Sequence, residues 1–225
     1  MIIAIDGPSG AGKSTVAKAV AKTLGFSCLD TGAMYRSIAW QAMAEGIDLS
    51  DGAALGQLAR TKEITFGHSA GDPAPKSVAI DGHDVTAAIR TAEIDKAVSP
   101  TSAAPQVRSA LVAQQQRIGA AGDYVVEGRD IGTVVFPHAE VKVFLTASDE
   151  ERAHRRVRQN VDRGVGSIDY AEVLADLRRR DTYDSTRETS PLCAADDAVV
   201  LDSTNNYIED IITRICALAL DQRNA

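Results

Sequence analysis

The chain has 225 residues, of which 44% are hydrophobic, so it is long enough to bury one sizeable core. Lys and Arg number 24 against 31 Asp and Glu, and the net charge of -7 argues against a surface that wraps nucleic acid. No apolar stretch reaches the length that a bilayer requires, and the three cysteines lack metal-ligand spacing. We therefore expect a soluble cytoplasmic protein with reduced thiols and with no nucleic-acid or membrane partner.

The N-terminal part alternates strand and helix. A β-branched run at 2–5 predicts a strand, and apolar residues recur at helical spacing over 13–24 after a Gly-rich turn. A second short strand is predicted at 26–30, followed by a helix that ends at Gly46. This βαβα order favours a parallel sheet.

The pattern changes between about 62 and 100, where brief apolar runs alternate with loops. The Asp81-Gly82 pair predicts a tight hairpin turn, so we expect a small antiparallel insertion in this segment. A helix near 104–119 then restores the α/β alternation.

The second half of the chain contains three more apolar runs. Those at 124–127, 141–145 and 199–201 predict buried parallel strands. A C-terminal helix is predicted by apolar residues that share one helical face, namely Ile208, Ile211, Ile212, Ile215 and Leu218. The elements together predict an α/β fold with a parallel sheet flanked by helices.

The segment GPSGAGKST at 7–15 matches G-x-x-x-x-G-K-[ST] between a predicted strand and a predicted helix. Its glycines let backbone N–H groups close around phosphate oxygens, and Lys13 supplies a mobile cation. The Ser14 hydroxyl is suited to binding Mg²⁺. We expect a site for ATP with Mg²⁺ as cofactor, formed by Gly7, Pro8, Ser9, Gly10, Ala11, Gly12, Lys13, Ser14 and Thr15.

A triphosphate site does not identify what receives the phosphoryl group. The base-reading N-K-x-D motif of GTPases does not occur in the sequence, and motor ATPases are usually larger. A small chain with local basic clusters favours a kinase that acts on a small molecule. A regulatory module that binds ATP without turnover is the alternative from another class, and the intact Lys13-Ser14 pair argues against it.

Two segments in the second half combine arginine with acidic residues. Arg180, Asp184 and Arg187 lie at i, i+4 and i+7, so in a helix they form either a site for phosphate and sugar or a salt-bridged solvent face. The four arginines at 152–158 form either a solvated helix that nearby acids neutralise or a mobile arm that closes over phosphates. Glycines just beyond the arm favour the second interpretation.

The segment VVEGRDIGTVVF at 125–136 places Arg129 and Asp130 where a buried strand has just ended. From the residues alone this pair is either a recognition element or a surface ion pair in a turn.

Seven segments, in their order and spacing, resemble the bacterial cytidylate kinase family along nearly the whole chain. They are GPSGAGKST, LDTGAMYR, IRTAEIDKAVS, VRSALVAQQQR, EGRDIGTVVFP, ERAHRRVRQ and RRRDTYDSTRE. The resemblance implies a P-loop NTPase fold of the nucleoside monophosphate kinase type. It implies a core at 1–61 and 101–225, a monophosphate-binding insertion at 62–100 and a helical lid at about 150–168.

The resemblance also implies an ATP-dependent phosphotransferase of pyrimidine metabolism that acts on CMP or dCMP with Mg²⁺. Other small acceptors, such as UMP, AMP or shikimate, remain open alternatives. ATP and the acceptor are then its small-molecule partners. The oligomeric state is open, with a monomer as one option.

Matching motif positions imply individual roles. Arg36 and Arg129 hold the acceptor phosphate, and the cytosine is surrounded by Thr31, Arg108, Asp130 and Arg187. The pentose is contacted by Ser99, Arg180 and Asp184. The implied catalytic residues are Lys13, Arg129, Arg152 and Arg156. Thr31 replaces the serine common at its motif position and keeps the hydroxyl.

Overall fold

The computed structural model describes residues 1–69 and 71–224. The chain divides into two compact units, which we call the first unit (Met1–Leu29 with Gly122–Ala225) and the second unit (Asp30–Ala121). The segment 62–100 lies inside the second unit, together with helices before and after it. Within the described ranges, no helix has both the length and the apolar composition needed to cross a membrane.

The elements are numbered in chain order. The strands are β1 (Ile2–Asp6), β2 (Ser27–Asp30), β3 (Ile64–His68), β4 (Pro75–Ile80), β5 (His83–Asp84), β6 (Tyr124–Gly128), β7 (Val141–Thr146) and β8 (Val199–Asp202). The helices are α1 (Lys13–Leu24), α2 (Thr31–Ala44), α3 (Gly52–Thr61), α4 (Ala92–Ala103), α5 (Pro105–Gly119), α6 (Asp149–Arg163), α7 (Tyr170–Thr186) and α8 (Ile208–Asn224). A 3-10 turn (Ala88–Arg90) and a π-helical turn (Ile131–Val135) complete the set.

The first unit is built on a five-stranded sheet in the order β2-β6-β1-β7-β8. β1 pairs in parallel with both β6 and β7, which confirms the predicted α/β fold with a parallel sheet. Ile3 and Ile5 of the central strand are completely buried, because helices such as α1 and α8 contribute apolar residues to the same core. In the β1–β6 register Asp6 faces Gly128, so the two strands end at the same edge.

The strand at 199–201 is present, but the prediction that it is buried is wrong. β8 is one of the two edge strands of the sheet and pairs with β7 alone. Val200 is 59% exposed. An apolar run predicts a strand, whereas its position in the sheet depends on the order in which distant strands pair.

The second unit combines helices with a three-stranded antiparallel sheet in the order β3-β4-β5. Asp81 and Gly82 both have positive φ, 47° and 78°, and form the predicted hairpin turn. The antiparallel segment is shorter than expected, because residues 92–100 belong to α4. Pro100 lies inside that helix and interrupts the helical pattern in the sequence. Helix α3 was also missed, although Asp51 caps its first amides.

Helix α3 packs closely on α5 at Gly56, where an added Cβ would lie 2.3 Å from the Cβ of Gln106. We expect Gly56→Ala to lower the free energy of unfolding by about 1–3 kcal/mol, because the two helices must separate. Urea denaturation measures this loss. A Cβ at the exposed Gly122 meets nothing within 4 Å, so Gly122→Ala is the matched control. Equal stability of the two variants would contradict the prediction.

Candidate active site

The phosphate loop joins β1 to α1 in the first unit. Gly7, Gly10 and Gly12 have φ angles of 147°, 81° and 94°, which L side chains rarely adopt. A Cβ at Gly7 would lie 1.9 Å from the carbonyl oxygen of Leu145 in β7. The loop is therefore pressed against the neighbouring strand, and α1 begins directly after it at Lys13.

Lys13 is only 7% exposed, and its ammonium lies against this loop. It donates hydrogen bonds to the carbonyl oxygens of Gly7 and Pro8, both at 2.7 Å. Burial and the charge of Arg129 lower the pKa of Lys13, whereas the carboxylates of Glu127 and Asp6 oppose this effect. Phosphate oxygens bound by the loop would favour the charged form of the side chain.

Ser14 and Glu127 lie together although 113 residues separate them in the chain. The Ser14 hydroxyl donates a hydrogen bond of 2.8 Å to a carboxylate oxygen of Glu127, which is 5% exposed. Ser14 was predicted from the sequence, whereas Glu127 was not. An acidic residue at the end of the apolar run at 124–127 was the signal that could have identified Glu127.

This hydroxyl–carboxylate pair suits Mg²⁺, which prefers oxygen ligands and is usually bound by one or two carboxylates plus substrate phosphates. Residues 1–69 and 71–224 contain no group of three or more His, Cys, Asp or Glu residues placed to hold a metal ion. The paired oxygens of Ser14 and Glu127 would suit Mg²⁺ beside a bound triphosphate.

Three arginines of α6 reach the phosphate loop. Arg152 is 3% exposed and donates to the carbonyl oxygen of Ser9 at 2.9 Å, while carboxylates of Asp149 and Asp181 each lie 2.5 Å from its guanidinium. Arg156 donates to the Ser9 hydroxyl at 2.8 Å. Arg155 contacts the loop more weakly, at 3.5 Å from the carbonyl oxygen of Ala11.

Of the two interpretations left open for 152–158, the solvated helix therefore does not describe Arg152. Arg158 does fit it, since its side chain is 70% exposed and lies 3.6 Å from Glu151. Closure of this segment over phosphates remains a prediction.

A cavity of about 660 Å³ lies beside the phosphate loop in the first unit. Its wall includes Gly12 and Thr15 of the loop, Arg155 of α6, and Ser203 and Asn206 from the segment before α8. Its volume falls within the range of small-molecule sites. No ligand-binding role was predicted for the segment before α8.

The turn after β6 carries a buried network of charges. Arg129 pairs with Asp184 at 3.0 Å, and Arg187 lies 3.7 Å from Asp184 and 3.9 Å from Asp130. The side chains of Asp130, Asp184 and Arg187 are at most 6% exposed. The solvent-face interpretation is therefore wrong for Asp184 and Arg187.

The assumption that one helix carries the whole triad of Arg180, Asp184 and Arg187 needs a correction. Helix α7 ends at Thr186, and Arg187 follows it in an extended conformation. Its guanidinium nevertheless reaches back to Asp184. After burial and the charge of Arg129, the charge of Arg180 also lowers the pKa of Lys13.

Asp6, at the end of β1, contacts the same turn. Its carboxylate accepts hydrogen bonds from the backbone N–H groups of Ile131 at 2.8 Å and Gly132 at 2.7 Å. Burial raises the pKa of Asp6 to about 6, although these two hydrogen bonds oppose the shift. Sequence analysis gave Asp6 no role.

The second unit contains the remaining predicted residues. Thr31 is buried at the start of α2, and Ser99 is half-buried in α4. The guanidinium of Arg36 lies 3.3 Å from the Asp95 carboxylate. Arg108 is 3% exposed and donates to the carbonyl oxygen of Ser102 at 3.1 Å.

Three further residues of the second unit, not predicted from the sequence, interact with members of this group or with each other. The ring of Tyr35 lies under the Arg108 guanidinium at 5.3 Å, in the range of a cation–π contact. Asp30 caps α2 through the N–H of Ala33 and pairs with Arg90 at 3.0 Å. Although burial opposes ionisation, the charges of Arg90 and Arg36 hold the pKa of Asp30 below its ordinary value.

Comparison with known proteins found relatives along the whole chain. A family model described as cytidylate kinase matches residues 3–221. The chain is 48% identical to the cytidylate kinase of Rhodococcus jostii (strain RHA1), over 100% of this chain and 97% of the relative. It is 49% identical to that of Desulfitobacterium hafniense (strain Y51), over 98% and 93%. Among solved structures, an uncharacterized protein from Eubacterium ventriosum ATCC 27560 has the same fold, with a TM-score of 0.53, 10% identity and 96% of each chain covered.

The raised pKa of Asp6 predicts how stability changes with pH. The folded carboxyl, with a pKa of about 6, holds its proton more tightly than an unfolded one at the ordinary value of 3.8. Stability relative to Asp6→Asn should therefore fall as pH rises from about 4 to about 6, by on the order of 3 kcal/mol, and then level off. Urea denaturation of both proteins across this range measures the difference. A difference that stays constant or rises with pH would contradict the prediction.

Proposed function

The chain belongs to the cytidylate kinase family, and from this premise we propose that it transfers the γ-phosphoryl group of ATP to CMP or dCMP. One observation of the structure supports the proposal most. The ends of the adjacent strands β1 and β6 place a phosphate loop with a buried lysine beside a turn that carries Arg129 and Asp130. The ATP-binding loop and the Arg129–Asp130 pair proposed to recognise the acceptor therefore both follow strands that end at the same edge of the sheet.

On the donor side, the loop at 7–15 binds the phosphates of ATP through its backbone N–H groups, and Lys13 supplies a positive charge. The 660 Å³ cavity beside the loop receives the nucleoside part of ATP. Mg²⁺, held by Ser14 and Glu127, supplies further neutralisation of the phosphate charge when it is bound.

Catalysis by this chain consists of alignment and charge stabilisation, because phosphoryl transfer requires little covalent chemistry of the protein. Lys13 and Arg129 neutralise the charge that is shared between donor and acceptor. Arg156 contributes from α6, where its guanidinium already contacts the Ser9 hydroxyl. Arg152 contributes by holding the loop, since its contacts are to a loop carbonyl and to two carboxylates.

On the acceptor side, the motif positions of Arg129 and Arg36 assign both residues to the phosphate of CMP. The Asp130 carboxylate accepts a hydrogen bond from the cytosine amino group, and the Arg108 guanidinium donates to the N3 and O2 side of the ring. Uracil presents the reverse pattern, with an acceptor at O4 and a donor at N3. A buried carboxylate therefore rejects it at a cost of about 1–3 kcal/mol.

The remaining predicted residues complete the acceptor site in this proposal. Thr31 and Arg187 contact the base, and Ser99, Arg180 and Asp184 contact the pentose. Asp184 is suited to accept from a sugar hydroxyl, because Arg129 and Arg187 already balance its charge. The same carboxylate thus orients two arginines of the site.

Release of ADP by the purified protein with Mg²⁺-ATP tests the function directly. CMP, dCMP, UMP, AMP, GMP, shikimate and no acceptor are compared in parallel. We expect turnover to depend on CMP or dCMP. Preference for another acceptor would still identify the protein as a kinase, but it would contradict the proposed recognition of cytosine. ATP binding without any acceptor-dependent turnover would indicate a regulatory module instead.

Replacement of Lys13 tests the donor side. We expect Lys13→Ala to lower kcat by about 100-fold or more, because the variant loses a charge that stabilises the transferring group. Steady-state kinetics with saturating CMP measure the loss. Lys18→Ala removes an exposed lysine from the same helix and serves as the control. Unchanged turnover in Lys13→Ala would contradict the assignment.

Replacement of Asp130 tests base recognition. We expect Asp130→Ala to raise KM for CMP and to lower the preference for CMP over UMP by about tenfold. The reason is that the variant no longer imposes the cost of about 1–3 kcal/mol on uracil. The ratio of kcat/KM for the two acceptors is the readout. Asp176→Ala, at a half-exposed aspartate of α7, is the control. A preference that survives the loss of Asp130 would disprove the proposed base contact.

A further inference from the structure

Asp6 has an unusual place in the first unit. It is the last residue of the central strand β1, in register with Gly128 of β6 and Phe144 of β7, and it is 5% exposed. The next residue, Gly7, begins the phosphate loop. Hydrophobic strands rarely bury a carboxylate without a specific partner, because burial disfavours the charged form.

The partners of this carboxylate are two successive backbone N–H groups. One oxygen accepts from Ile131 at 2.8 Å and the other from Gly132 at 2.7 Å. These residues begin the π-helical turn at 131–135. The first N–H groups of a helical turn find no acceptor within the turn, so the carboxylate satisfies two groups that would otherwise be buried without partners.

The turn is held at both ends as a result. On one side, β6 is paired with β1 through Gly128. On the other side, Asp6 binds the amides of Ile131 and Gly132. Arg129 and Asp130 are the only two residues between these attachments. Their backbone therefore has little freedom to rotate.

We propose that Asp6 is a positioning residue for acceptor recognition, because its two oxygens hold the turn in the conformation that directs Arg129 and Asp130. This inference rests on the proposed function, which assigns both residues to the acceptor nucleotide. Asp6 does not touch the substrate. The phosphate loop starts at the next residue, but the side-chain hydrogen bonds of Asp6 go to the acceptor turn.

A carboxylate is the group that this geometry requires. Asparagine has the same shape but one acceptor oxygen, so its amide group would face a backbone N–H with another donor. The charge environment of Asp6 is mixed, since the carboxylate of Asp130 opposes its ionisation and the ammonium of Lys13 favours it. Burial also raises the pKa of Asp6. A carboxylate is present at this position although burial disfavours its ionised form, which agrees with a need for both of its acceptor oxygens.

Asp6→Asn is the decisive variant, assayed in the full chain at pH 8, where the wild-type carboxyl is ionised. We expect KM for CMP to rise at least tenfold and the preference for CMP over UMP to fall by a similar factor. KM for ATP should change less than twofold. Hydrogen exchange of the amides of Ile131 and Gly132 should accelerate in the variant, because asparagine keeps only one of the two acceptor oxygens and places a donor against the other amide.

If the role of Asp6 were merely structural, KM for CMP and KM for ATP would rise together. Alternatively, less protein would fold, and the folded part would keep the wild-type ratio of kcat/KM for CMP to that for UMP. Either result would overturn the proposal. If Asp6→Asn does not fold, Asp6→Glu decides with the same measurements, because it keeps the charge and displaces the carboxylate. Asp176→Asn, at a half-exposed site, controls for the change from acid to amide.

These outcomes are distinct from failure of the proposed function. If the wild-type protein shows no CMP-dependent ADP release, or if Asp130→Ala keeps the base preference, the function or the base contact is wrong. If both of those behave as expected and Asp6→Asn leaves KM for CMP and the preference unchanged, only the role of Asp6 is wrong.

Discussion

The parallel register between β1 and β6 is the constraint on which the site in the first unit depends. It aligns Ile5 with Glu127 and Asp6 with Gly128, so both strands end at the same edge. The phosphate loop leaves one strand end and the Arg129–Asp130 turn leaves the other. Since parallel strands present their carboxyl ends on one side of a sheet, ligand-binding loops collect there. Two short hydrogen bonds from the turn to Asp6 then join the two ends directly.

The first unit also has to hold several cations close to one another. Burial and the charge of Arg129 both lower the pKa of Lys13, so the two positive charges disfavour each other. Carboxylates reduce this repulsion at defined points, with Asp181 paired to Arg152 and Asp184 paired to Arg129. The two aspartates are three residues apart on α7, so one helix orients both the α6 arginine that contacts the donor loop and the arginine of the acceptor turn. Such fixed charges need little rearrangement when phosphates bind.

Much of the fold was predictable because its signals are local. A strand, a Gly-rich loop and a helix follow one another within 2–24, and the hairpin turn at Asp81-Gly82 needs only its own two residues. Helix α4 was missed because Pro100 breaks the pattern on which periodicity depends. The burial of β8 was predicted wrongly for another reason. Whether an apolar strand lies in the centre or at the edge depends on which distant strand pairs with it.

The sequence by itself determined which chemical groups the protein has and which of them lie within one turn of each other, such as the loop around Lys13 and the Arg129–Asp130 pair. Only the tertiary structure decided how distant groups pair. Ser14 meets Glu127 across 113 residues, and Asp6 meets Ile131 across 125. The physical reason is that a charge or a hydrogen-bonding group has no preferred partner along the chain. Its partner is the group that strand order and helix packing bring within about 3 Å.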